Sequence, residues 1–77
     1  TNKILDACKT STIPVGVSIW QTQNAPDSPS PGNLSMTVIF KNQSNGNYTY
    51  IYSFIYGKIY YAYMSSTSTS LSWTQIV

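Results

Sequence analysis

Histidine and arginine are both missing from this 77-residue chain, and Asp6 and Asp27 are its only acids. That shortage nearly excludes a structural metal site, because zinc is held by clustered histidine, cysteine and carboxylate ligands. General acid–base catalysis has as little to work with, since the two aspartates fall in different elements and suggest no paired-carboxylate geometry. Cys8 stands alone, so no disulfide can close within the chain, and no histidine is present to activate its thiol. The positive charges, Lys3, Lys9, Lys41 and Lys58, are scattered, so the basic stripe of a nucleic-acid binder is lacking too. No apolar run reaches the roughly eighteen residues that span a bilayer. The expectation is therefore a protein that is not an enzyme, takes no cofactor or metal, binds no nucleic acid and does not insert in a membrane.

A domain this small buries only about 60–65% of its unfolded surface. Disulfides, metals or oligomerisation usually make up the difference. With the first two removed, oligomerisation or attachment to a longer chain is expected. The opening "TNKILDACKTS" has no signal-peptide layout and no initiator methionine, so a piece of a larger polypeptide is expected, with a processed protein as the other possibility. Polarity comes from Ser, Thr, Asn and Gln rather than from charge, a style common in extracellular and virion proteins.

What is present is strand-forming. After a predicted helix over residues 3–10, with Ile4, Leu5 and Cys8 on one face and Thr1 or Asn2 as cap, Val15, Val17 and Ile19 alternate against Gly16, Ser18 and Trp20. "NAPDSPSPG" carries three prolines and a glycine in nine residues and reads as an irregular loop. "NLSMTVIFKN" is a second strand with Leu34, Met36, Val38 and Phe40 on one side, and Asn45-Gly46 is a hairpin signal. A polar loop, "STSTSL", then leads to a short closing strand, "SWTQIV". The fold class is β-rich (α+β): a small antiparallel sheet of about five strands with a short N-terminal helix, forming one domain over residues 1–77.

All seven tyrosines lie in "NYTYIYSFIYGKIYYAYMSS", residues 47–66, which also holds a single charge, Lys58. With Tyr56-Gly57 as the turn, counting outwards pairs Ile55 with Lys58, Ser53 with Tyr60, Ile51 with Ala62 and Thr49 with Met64. On the other face Phe54 meets Ile59, Tyr52 meets Tyr61, and Tyr50 meets Tyr63. One face is almost wholly aromatic.

The order of these motifs resembles the pyocin-knob type of domain found near the ends of bacteriophage tail fibres. The matching positions are Gly16 to Trp20, Pro26 to Pro29, Gly57-Lys58-Ile59-Tyr60 and Trp73-Thr74-Gln75-Ile76. Two positions depart from the family pattern. Ala62 stands where the family often has arginine, and Ser70 where it has the first tryptophan of the closing motif. The resemblance implies a virion tail component, extracellular, that recognises the bacterial surface within a trimeric fibre.

Tyrosine and tryptophan suit carbohydrate, stacking a ring on the sugar while the hydroxyl or indole N–H finds a polar partner. The candidates for a bacterial surface glycan are Trp20, Gln21, Tyr50, Tyr52, Tyr61 and Tyr63, with Trp20 beside the proline loop. Against this stands the commoner role of such a stripe, burial in a core or a fibre interface. In a monomer the helix and Trp73 should partly cover the aromatic face; in a trimer the rings should lie between chains. Phe54 and Cys8 are expected in the core, and Trp73 as an anchor for the C-terminus. Three Asn-x-Ser/Thr triplets, at Asn33, Asn42 and Asn47, keep open an adhesin or viral ectodomain. The remaining alternative is a structural trimerisation or spacer domain without its own ligand.

Overall fold

The computed structural model describes residues 3–77. Its elements run α1 (Ile4–Cys8), β1 (Gly16–Thr22), β2 (Ser35–Lys41), β3 (Thr49–Ile55), β4 (Lys58–Met64) and β5 (Thr74–Gln75). The strands form one antiparallel sheet in chain order, β1-β2-β3-β4-β5. The expected class, a five-stranded antiparallel sheet with a short N-terminal helix, is the fold observed.

The β3–β4 hairpin has the register read from the sequence, Ile55 opposite Lys58 through to Thr49 opposite Met64. Tyr56 and Gly57 form its two-residue turn with φ of 50° and 78°, the left-handed pair of a type I′ turn. A tyrosine is an awkward occupant there, because a Cβ at positive φ crowds the following carbonyl. Its side chain is 78% exposed, so little is lost with it. Tyr56→Asn should therefore raise stability by about 1 kcal/mol, read as a higher urea midpoint with an unchanged slope.

The hairpin signalled by Asn45-Gly46 is also present: β2 and β3 pair antiparallel, joined by residues 42–48, and within that loop Gly46 N–H donates to the Gln43 carbonyl at 3.0 Å. The asparagine's oxygen serves the loop itself, accepting from Asn47 N–H at 3.1 Å.

Helix α1 starts after Lys3, which offers no side-chain cap. The expected caps, Thr1 and Asn2, lie outside the described residues. Asp27 of the proline loop serves instead, its two carboxylate oxygens accepting from Ile4 N–H at 2.8 Å and Leu5 N–H at 2.9 Å. A carboxylate at a helix N-terminus satisfies otherwise unpartnered donors and meets the positive end of the peptide dipoles. The Asp27 carbonyl also accepts from the Trp73 indole N–H at 2.7 Å. One loop residue thus ties the helix and the C-terminal segment to the same side of the sheet. Trp73 is an anchor as expected, with its polar tip fixed to the loop.

That side is the core. Ile4, Leu5 and Cys8 of α1 and Ile13 pack on Ile39, Ile51 and Met64, with Ile51 wholly buried. Much of the covered sheet is small or polar: Ala62, Thr37, Thr49 and Ser53 are also buried. The Thr49 hydroxyl donates to the Gly46 carbonyl at 2.9 Å, and the Thr37 hydroxyl pairs with that of Thr22 at 3.0 Å. Small residues let a five-residue helix and two loops approach the sheet closely.

Candidate functional site

Antiparallel pairing carries parity across the sheet, so the rows opposite to this core follow from the register. On β1 they are Val17, Ile19 and Gln21, facing Phe40, Val38 and Met36 of β2. Next come Tyr50, Tyr52 and Phe54 of β3, then Tyr63, Tyr61 and Ile59 of β4. Thr74 of β5 stands beside Tyr61. Neither α1 nor Trp73 reaches this side, since both pack on the core cluster across the sheet. The expectation that they would shield the aromatic face is corrected.

The consequence is an open apolar wall. Val17 and Ile19 are 66% and 64% exposed, and Met36, Phe40, Tyr50, Phe54 and Tyr63 between 41% and 46%. Phe54, expected in the core, is thus on the open side; its parity with Tyr52 and Tyr50 decides that, whatever its lack of a hydroxyl. The rings pack laterally instead. Tyr50 and Tyr63 have centroids 5.2 Å apart, Tyr52 and Tyr61 also 5.2 Å, and Phe40 meets Tyr52 edge-on at 6.0 Å. Such contacts pre-order the surface, because aromatic pairs favour tilted and edge-to-face arrangements. Val38, Phe40, Tyr50, Tyr52 and Phe54 line a shallow trough along its middle. Partial burial, and then the neighbouring phenols of Tyr52, Tyr50 and Tyr63, raise the Tyr61 pKa.

Of the six glycan candidates, the structure brings Tyr50, Tyr52, Tyr61 and Tyr63 together and leaves Gln21 at the β1 edge of the same face. Trp20 lies on the other side of the sheet, so it cannot share a ligand with them. Its indole N–H donates to the Ser18 hydroxyl at 2.8 Å, and its ring borders a cleft of about 220 Å³ between α1, β1 and the proline loop. Ile4, Ala7, Ile13 and Ala25 form the apolar part of that cleft, with Lys3, Thr12 and Gln23 also lining it. Sequence reasoning missed the aliphatic half of the open face. Met36, Val38 and Phe40 alternate plainly, but nothing local says that their side of the sheet stays bare.

Nucleophilic chemistry finds no foothold at Cys8. Its side chain is wholly buried, and burial pushes the thiol up to about 11, against a smaller opposing pull from Lys41 and a further push from Asp27. Linkage fixes the sign. The folded state holds the proton more tightly than the unfolded chain, whose thiol titrates near 9.0, so this stabilisation is complete below pH 9 and is lost towards pH 11. On the order of 2 kcal/mol should disappear across that window, and Cys8→Ala should flatten the alkaline fall in urea midpoint. Among the described residues no three His, Cys, Asp or Glu side chains cluster as metal ligands, and no helix is long and apolar enough to cross a membrane.

Comparison with protein-family models, curated proteins and solved structures finds no match to this chain.

Proposed function

We propose that this chain is a non-catalytic interaction module, a knob-like piece of an extracellular bacteriophage tail fibre, built into its assembly through the aromatic face of its sheet. The virion setting rests on the resemblance of the glycine-led strand, the proline loop, the G-x-I-Y hairpin and the closing Trp73 motif. The interface reading rests on one observation: a sheet apolar on both faces is covered, among the described residues, on only one. Domains pair layers to bury each apolar face, and monomers rarely leave contiguous apolar patches this large in water. Met36, Val38, Phe40, Phe54, Val17 and Ile19 have no polar atom in their side chains to grip a sugar hydroxyl, so a protein surface suits this wall better than a glycan.

Tyrosine nitration by tetranitromethane tests this in the assembled parent particle against the isolated chain. Tyr50, Tyr52, Tyr61 and Tyr63 should be protected in the assembly, while Tyr56 at the exposed turn reacts in both. Equal modification of the four face tyrosines in both states would sink the reading.

Adhesion to a bacterial surface carbohydrate is the second reading, and the observation favouring it is Trp20 beside its cleft. On that reading the glycan contacts come from Trp20 and the proline loop, and the tyrosines serve assembly. A glycan array probed with the native chain and with Trp20→Ala separates the cases. Binding lost in the folded variant supports adhesion; a silent array from the folded native chain leaves assembly alone.

A further inference from the structure

The open face has a chemistry that selects its occupant. Both lysines of the sheet, Lys41 and Lys58, have the parity of the opposite side, so the rows of the open face carry no charge at all. A charged partner surface would bury its charges unpaired against Val38, Phe40 and Phe54, which costs several kcal/mol per ion. The occupant this face admits without that cost is an uncharged, apolar and fairly flat surface.

We propose that this occupant is the same face of a second copy of the chain, giving a two-fold pair stacked sheet on sheet with a helix layer outside each. The proposal rests on the reading of the open face as an assembly surface and names its partner. The four seven-residue strands β1–β4, about 4.8 Å apart at about 3.3 Å per residue, outline roughly 440 Å² of face, or about 900 Å² for two copies. That is below the size of a stable, specific interface and in the range of weak contacts, so the pair is a weak, reversible one. Sheets stacked about 10 Å apart with strands offset by about 30° interdigitate their inner side chains. Val38 and Tyr52, cross-strand neighbours at the middle of the face, would lie closest to the two-fold axis. A three-fold ring would require this face to meet a different surface of the next copy. The other broad surface of the sheet is already occupied by α1, the proline loop and Trp73.

Sedimentation equilibrium of the 77-residue chain, from about 5 μM to about 1 mM, tests this. The expected result is a monomer–dimer equilibrium. Val38→Lys, folded by circular dichroism, should weaken it by more than about 100-fold, because each pair would bury two unpaired ammonium groups. Ser44→Lys, in the loop away from the face, should leave it unchanged. Should Val38→Lys fail to fold, Phe54→Ser at the rim of the face is expected to show a smaller loss of the same kind. A chain monomeric at about 1 mM, a trimer, or a dimer indifferent to every face substitution overturns the pairing. Nitration in the parent particle then separates the two failures. Protected face tyrosines with a monomeric chain remove only the self-pairing, whereas unprotected ones remove the assembly reading with it.

Discussion

Valine in place of Gly46 should strip α1 from the sheet and lower stability by more than about 2 kcal/mol. Gly46 lies in the β2–β3 loop with φ of +91°, where side chains are strained whatever the space. The space is absent as well. A Cβ there would stand 3.1 Å from the Cys8 carbonyl oxygen and 3.2 Å from both Lys9 Cγ and Met64 Cε. The Lys9 stem can swing aside, but the Cys8 carbonyl is helix backbone and moves only with α1. Because a domain of this size has little stability to spare, the loss should appear as a fall of many degrees in Tm. Gly46→Ala should fall between the native chain and Gly46→Val. An unchanged Tm for Gly46→Val would mean that the helix does not sit on this loop.

Removing the ammonium group of Lys41 should cost about as much. Lys41 is only 3% exposed at the end of β2, and its Nζ donates to the carbonyls of Thr10 and Ile13, each at 2.7 Å. Those carbonyls belong to the turn after α1, so one cation fastens the helix exit to the sheet. Lys41→Met keeps the stem and deletes the donors, leaving two carbonyls short of a partner in a dry site. About 2–3 kcal/mol of destabilisation is expected in urea unfolding, since hydrogen bonds from a charged donor contribute more than neutral ones. With the cation gone, its downward pull on the Cys8 thiol goes too, so thiol titration should move higher still. A Lys41→Met chain as stable as the native one would show that the stem's packing, and not the ammonium, is what the site uses.

Both sites lie outside what local pattern reveals. The β3–β4 register was legible residue by residue, because a two-residue turn fixes every pair by counting and Tyr56-Gly57 is the only break in the alternation. Parity likewise put Trp20 on the side opposite to Val17 and Ile19, but did not tell that this is the side α1 covers, away from the tyrosines. Asn45-Gly46 marked the β2–β3 hairpin, but nothing local told that its glycine is required by the nearness of α1. Which face the helix covers was the larger gap. Apolar content favours burying the rings, but α1 is five residues long and is held by Asp27 and Lys41. It fits against the face built from Ile39, Ile51, Ala62, Thr49 and Ser53, where side chains are short. Close approach won over total apolar area, and the rings were left outside. Phe54 follows from that choice: parity within β3 put it with Tyr50 and Tyr52, but not which side the helix would cover.

The alternation of "TYIYSFI" then takes on its meaning. Both sides of β3 are rich in apolar groups, as in strands buried on two faces. The intramolecular core explains one side, and the proposed assembly would account for the other. The claim that the aromatic wall is interface rather than core is tested most directly by the unfolding free energy of the dilute monomer carrying Phe40→Ser and Phe54→Ser together. An interface predicts a loss of about 1–2 kcal/mol from the native monomer, since the two rings are already 41% and 42% exposed and only their lateral contacts and strand propensity are given up. A loss of more than about 4 kcal/mol, as for two buried phenylalanines, would contradict it and return the face to the core.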